Sequence, residues 1–165
     1  MNHGFQQHLD AIDIALVRML QAQGRLTNAD LAERVGLSPS ACLRRVQRLE
    51  QDGVIAGYRG IVDPRAIGLG LEAFVSVKLV QKDQKAIVSF TEEVAKWEEV
   101  VACYILTGDA DFMLHLVMVD LEAYSDFVVG RLLTAPAMAS INSSIVLRTI
   151  KEYTGLPTKH LSTPA

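Results

Sequence analysis

The sequence predicts an α+β protein, an N-terminal winged helix-turn-helix followed by a ferredoxin-like βαββαβ domain. Three observations carry that prediction. Two helical segments with their own caps meet across Gly36-Leu37, a short glycine-containing turn. After Leu71 a strand rhythm of alternating apolar residues replaces much of the helical one. The later segments then follow in the order strand, helix, strand, strand, helix, strand, which places both helices on one face of a sheet.

The first helix is read in Leu9–Leu20, where Leu9, Ile12, Leu16 and Met19 or Leu20 form one stripe. Asp10 stands where an N-cap belongs, and Asp13 falls in the first turn, where the helix dipole favours an acid. Gly24 ends this segment. The second helix opens on Thr27 with Asp30 three residues on, and Leu26 and Leu31 hold the staple positions. Leu31, Ala32 and Val35 form its buried face, and Gly36 stops it. Ser38 caps a third helix, with Pro39 at the first helical position, where a missing N–H costs nothing. That helix is expected to run to about Gln51. Val54–Val62, two short apolar runs around glycines, reads as a hairpin and so as a wing. Asp63-Pro64 breaks structure, and Gly68-Leu69-Gly70 reads as a hinge.

In the second half, Leu71–Val80 is strand-like, and Ala86–Trp97 is helical with Ile87, Phe90, Val94 and Trp97 on one stripe. Val100–Leu106 and Phe112–Val119 read as two strands joined at the Gly108-Asp109 turn. Asp120 can cap a helix to about Thr134 with Leu121, Tyr124, Phe127 or Val128, and Leu132 inward; Ile141–Glu152 reads as the last strand. The expected organisation is a DNA-binding domain over 1–63, a linker over 64–70, a second domain over 71–153 and a weakly ordered tail over 154–165.

The chain has 165 residues, 50% of them hydrophobic, enough for a core in one domain or two small ones. No apolar run approaches the ~20 residues of a membrane helix. Residues 1–8 carry no apolar signal core, so the expectation is cytoplasmic, and for a DNA-binding chain nucleoid-associated. The net charge of −3 argues weakly against nucleic acid, but it is uneven. Residues 1–65 hold eight Lys/Arg against seven Asp/Glu, and residues 66–165 eight against twelve. Binding phosphates needs a local basic face rather than a basic protein.

Such a face exists on the third helix. Cys42, Val46 and Leu49 point to the core, while Ser40, Arg44, Gln47 and Arg48 fall opposite, with Arg45 on a flank. Arginine, amide and hydroxyl groups bond phosphates and read base edges, and Ser38 opens the helix where backbone N–H groups are free for a phosphate. Tyr58 and Arg59 stand at the wing; they read equally as DNA contacts or as a packed tyrosine beside a surface arginine. Thr107-Gly108-Asp109-Ala110-Asp111 puts two carboxylates on a glycine turn. A carboxylate there can take a ligand ammonium, and turn N–H groups can take a ligand carboxylate. The same stretch also reads as a plain hairpin turn. Ser143 and Ser144 offer further polar groups or are surface residues of an edge strand.

Enzyme readings find no support. His3, His8, His115 and His160 have no metal-ligand spacing to each other or to Cys42 and Cys103, which read as reduced thiols. There is no nucleophile elbow, phosphate loop or HExxH, and Asp109 and Asp111 lack a partner acid, base or nucleophile. No enzyme activity, metal or cofactor is expected; His115 reads as a packed or interface histidine.

The chain resembles the Lrp/AsnC family, the leucine-responsive or feast/famine regulators, from about Leu9 to Pro157. Leu9-Asp10-Ala11-Ile12-Asp13, Gly24-Arg25-Leu26-Thr27-Asn28, Leu31–Ser40, Cys42-Leu43-Arg44-Arg45-Val46, Leu49–Ile55 and Gly108-Asp109-Ala110-Asp111 carry the resemblance. It implies a homodimer assembling to tetramers or octamers, with the second half a RAM domain that dimerises sheet against sheet. It implies an amino-acid effector held between RAM domains by Thr107, Gly108, Asp109 and Asp111, with Ser143, Ser144 and Ile145 from the last strand. Pro39–Glu50 would be the recognition helix for double-stranded DNA. Many relatives have proline where this chain has Ala41, and several have an acidic or neutral residue where it has Arg44. The function expected is a sequence-specific transcription regulator answering to an effector. The alternative is an architectural protein that compacts DNA with weak sequence preference.

Overall fold

The computed structural model describes residues 9–81 and 83–162; His3, His8 and the rest of the N-terminal stretch 1–8 lie outside it. The described residues form two compact units, one of residues 9–61 with 151–162, the other within Val62–Ile150.

The first unit holds three helices, each started by a side chain that supplies the acceptor its first turn lacks. Asp10 caps α1 (Ala11–Ala22) in a reciprocal capping box with Asp13, and Thr27 caps α2 (Asn28–Val35) in one with Asp30. Gly36 ends α2 in the left-handed conformation, φ 67°, its N–H directed back at the last carbonyls of that helix. Ser38 then caps α3 (Pro39–Gln51). Leu16, Leu31, Ala32, Cys42, Val46 and Leu49 form the core where the three helices meet.

Two expectations fail in this unit. Val54–Val62 forms no hairpin. Val54 and Ile55 instead cover the core at the end of α3, the Ile55 N–H donating to the Leu49 carbonyl at 3.0 Å. Farther on there is no apolar layer to pack against, and Ile61 is 95% exposed. The tail is also not loose. Gln21 of α1 pairs with both backbone groups of Leu156, accepting from its N–H at 2.6 Å, and the Arg18 Nε donates to the Thr158 hydroxyl at 2.6 Å.

The second unit is a four-stranded antiparallel sheet. Its elements are β1 (Leu71–Leu79), α4 (Gln84–Val94), β2 (Val100–Ile105), β3 (Phe112–Met118), α5 (Leu121–Phe127) and β4 (Met138–Ile145), with spatial strand order β2-β3-β1-β4. That is the ferredoxin-like arrangement. Ala73, Val75, Val77 and Leu79 of β1 and Phe112, Leu114, Leu116 and Met118 of β3 alternate onto one face and are buried with Phe90, Val94, Trp97, Phe127 and Leu132. Trp97 meets Phe127 edge-on at 5.2 Å between ring centroids. On the opposite face His115 stacks on Phe74 at 4.6 Å, and its Nε2 lies 2.7 Å from a Glu72 carboxylate oxygen.

The boundaries differ from the sequence reading for physical reasons. Within Gly68-Leu69-Gly70, the last glycine is held by a close backbone contact. The Gly70 N–H donates to the Val119 carbonyl at 3.0 Å, and a Cβ there would lie 2.9 Å from that oxygen, so only glycine admits the approach. β4 ends at Ile145 rather than Glu152: its pairing with β1 closes at Ala73–Ile145, and one further bond follows, from the Val146 N–H to the Glu72 carbonyl. The helix after Asp120 passes into a π-helical turn at Val128–Leu132, and Leu121 lies outward rather than inward.

Candidate nucleic-acid interface and effector site

The caps of α2 and α3 fix how α3 presents itself. Ser38 accepts from the Ala41 N–H at 3.3 Å, so its hydroxyl is committed to the helix end, and it lies 3.3 Å from the Ser40 hydroxyl. Asn28 of α2 donates to the Pro39 carbonyl at 2.7 Å, tying the second helix to the start of the third. With Cys42, Val46 and Leu49 buried, the helical period leaves Ser40, Leu43, Arg44 and Gln47 on the exposed face. Arg44 has no ion-pair partner among the described residues.

The other two arginines do not stand free. Asp13 of α1 is 1% exposed, and its carboxylate accepts from Arg45 at 2.9 Å, from Arg48 at 2.5 Å and from the Asp10 N–H at 3.2 Å. Arg45 also meets Asp10 at 2.6 Å. The expected spread of Arg44, Arg45 and Arg48 over one solvent face therefore splits. Arg44 faces outward, while Arg45 and Arg48 lean toward α1, held by a carboxylate that sequence reading placed there only for the helix dipole. The Asp13 N–H and the Arg45 guanidinium hold the Asp10 carboxyl below its ordinary value. A lowered folded value stabilises above the unfolded pKa near 3.9, and the benefit fades as pH falls through the folded value. Asp10→Asn is thus expected to flatten the acid end of the stability curve below about pH 4, read by urea melts at stepped pH.

Tyr58 donates its hydroxyl to the Glu50 carboxylate at 2.8 Å. Burial, and then Glu50, push the phenol up to about 12, so it remains a neutral donor and clasps the chain after α3 to that helix. Arg59 is exposed beside it.

In the second unit, Thr107, Gly108 and Asp109 are exposed at the β2–β3 turn, with Gly108 at φ 118°, which a side chain rarely tolerates. Asp111 closes the turn. Its carboxylate accepts from the Leu79 N–H at 2.9 Å, its N–H donates to Val77 and its carbonyl accepts from Leu106. Asp109 carries a wholly exposed carboxylate 4.0 Å from the Lys78 ammonium. Beside the turn lies a cleft of about 180 Å³ lined by Leu79, Ile87, Ile105, Leu106, Asp111 and Phe112.

Ser143, Ser144 and Ile145 do not line that cleft. Ser143 pairs with Val75 on the helix side and accepts a hydrogen bond from the Tyr124 hydroxyl; Ser144 pairs with Phe74 on the other face; Ile145 pairs with Ala73. Strand alternation separates consecutive residues by face, so the two expected halves of the site are not joined within one chain. Sequence reading missed Leu43, Lys78 and the apolar lining. Leu43 alone left a signal, as an apolar residue off the core stripe of α3. Among the described residues no group of His, Cys, Asp and Glu is placed to hold a metal ion.

Residues 9–56 match the model of a winged helix-turn-helix DNA-binding family, and residues 72–156 match the Lrp/AsnC ligand binding domain. The transcriptional regulator AzlB of Bacillus subtilis is 37% identical over 149 residues, 90% of this chain and 95% of its own. The leucine-responsive regulatory protein of Rhizobium meliloti is 38% identical over 144 residues, 87% of this chain and 92% of its own. Among solved structures, a transcriptional regulator of Neisseria meningitidis in complex with L-Met has a TM-score of 0.89 at 43% identity, covering 93% of this chain and 99% of that one. With a helix-turn-helix half that binds DNA and a half that binds a ligand, this chain belongs to the Lrp/AsnC family of transcriptional regulators.

Proposed function

We propose that this regulator recognises its operators through the outer face of α3 and that a free amino acid at the Gly108–Asp111 turn changes its assembly or its grip on DNA. The observation that carries the reading is the face itself: Ser40, Leu43, Arg44 and Gln47 stand exposed on a helix whose start is capped and whose back is buried. Arg44 can pair bidentately with guanine or neutralise a phosphate, and Gln47 suits adenine. Ser38 and Ser40 lie where the helix start meets a phosphate, and Arg45, Arg48, Tyr58 and Arg59 border the face.

For the effector, the exposed Asp109 carboxylate suits an ammonium, turn N–H groups suit a carboxylate, and the cleft beside Asp111 suits a side chain. The L-Met complex of the Neisseria protein supports an amino acid as the class. Ser143, Ser144 and Ile145 contribute when a second copy brings its sheet to the turn. The protein then works as a homodimer that assembles to tetramers or octamers, with Phe74 and His115 on the face that meets its twin. No described helix is long and apolar enough to cross a membrane. A regulator that binds chromosomal DNA acts where that DNA is, at the nucleoid in the cytoplasm.

The test is a gel-shift titration at fixed salt on duplexes selected from a random pool. Arg44→Ala is expected to weaken binding about tenfold with its melting temperature unchanged. Unaltered affinity would remove α3 as the reading element. A thermal-shift screen against the common amino acids tests the effector half.

A further inference from the structure

We infer that Leu43 reads sequence, by placing its side chain against the 5-methyl group of a thymine in the major groove. The inference rests on the reading of α3 as the DNA-contacting helix and adds to it an apolar contact. Leu43 is 45% exposed on the flank of a helix whose buried stripe is Cys42, Val46 and Leu49, and it does not join the core they form. It stands one turn from Ser40 and one turn from Gln47, on the same face. The exposed part of that side chain removes no apolar area from water in the free protein. Against DNA it has a partner. Thymine alone of the four bases offers a methyl group to the major groove, and apolar side chains recognise it.

The ion pairs within the unit narrow the set of readers. Arg45 and Arg48 are anchored on Asp13, so the side chains free to meet base edges from the centre of the face are Leu43, Arg44 and Gln47. Gln47 stands four residues beyond Leu43. Its amide can pair with adenine in the major groove, so the two side chains together fit a stretch containing A·T pairs. Arg44 supplies charge to the same face without constraining this position.

The experiment is a double-mutant cycle between protein and DNA. The full-length protein selects its site from a random duplex pool. Each thymine of that site is then replaced singly by uracil, which removes the methyl group and leaves the base pair intact. For the wild-type protein, uracil at one position is expected to weaken binding about fourfold, the equivalent of one buried methyl group at about 0.8 kcal/mol. With Leu43→Ala, the same uracil duplex and its thymine parent are expected to bind alike. Leu43→Met, which keeps an apolar reach, should retain most of the thymine preference. Because the side chain is about half covered, Leu43→Met should melt like the wild type and Leu43→Ala slightly below it, and comparing thymine with uracil duplexes on the same folded variant separates loss of contact from loss of fold. The inference is overturned if uracil is tolerated at every position, or if its cost persists undiminished in Leu43→Ala. Failure of the pool to yield any preferred site would instead overturn the reading of α3 as a sequence reader.

Discussion

Replacing Asp13 with alanine is expected to destabilise the N-terminal unit by about 2–3 kcal/mol and to blur its discrimination between DNA sequences. The carboxylate is 1% exposed and accepts three donors, two of them guanidinium groups of α3. Breaking a fully buried ion pair costs about 3–5 kcal/mol, because the abandoned charge has no solvent. Here Arg45 and Arg48 are 29% and 49% exposed and regain water, so the cost is smaller. The same freedom changes DNA binding. Two released arginines and the loss of one negative charge favour phosphate contacts that carry no sequence information. Affinity for random duplex is therefore expected to rise about threefold, and the ratio of specific to random affinity to fall. Urea melts and paired gel-shift titrations at one salt concentration measure both effects. An unchanged melt would show that Asp13 does not anchor α3.

Asp111→Ala is expected to abolish the amino-acid response while leaving DNA binding within about twofold. The structure gives this residue a second duty. Its carboxylate is the acceptor for the N–H of Leu79, a buried residue, so alanine orphans a donor at a cost of about 1–3 kcal/mol and loosens the turn. Asp111→Asn separates the two duties, since the amide oxygen can still accept from Leu79 while the charge is gone. Asp109→Ala supplies the complement: that side chain is wholly exposed, so the fold should be untouched and only the ligand's ammonium should lose its partner. Thermal-shift titrations of the three variants with the amino acid that shifts the wild type distinguish the cases. Should Asp109→Ala respond fully and Asp111→Asn respond fully, the turn is not the effector site.

What was legible in the sequence was what short-range chemistry decides. Asp10, Thr27 and Ser38 were readable as caps because a cap and its helix lie within a few residues of each other. The strand alternation of Phe112–Met118 was readable because one face is wholly buried. What failed depended on partners distant in the chain. Asp13 looked like a dipole-favoured surface acid, and nothing local revealed that Arg45 and Arg48, 32 and 35 residues away, would close over it. The alternation of Ile141–Glu152 does not show where β4 stops, because that end depends on its pairing with β1, which closes at Ala73–Ile145. Gly70 looked like freedom and is close contact. The residues expected to hold an effector are the least legible. Local rules describe Gly108-Asp109 as a turn, and the turn that formed is held by Asp111 through Leu79, with Ser143, Ser144 and Ile145 elsewhere on the sheet.

The docking of Leu156 and Thr158 on α1 bears on the order in which the protein is made. The N-terminal unit is built from both ends of the chain, and Val62–Ile150 must be synthesised between them. At about 5–20 residues per second, α1 waits roughly 7–27 s on the ribosome for the segment that pairs with Gln21 and Arg18. The helical core of Leu16, Leu31, Cys42 and Leu49 can close in that interval, whereas Gln21 and Arg18 lack these partners until residues 156–158 are made. A nascent chain stalled before Lys151 therefore carries a formed α3 on a unit that lacks the contacts of Leu156 and Thr158.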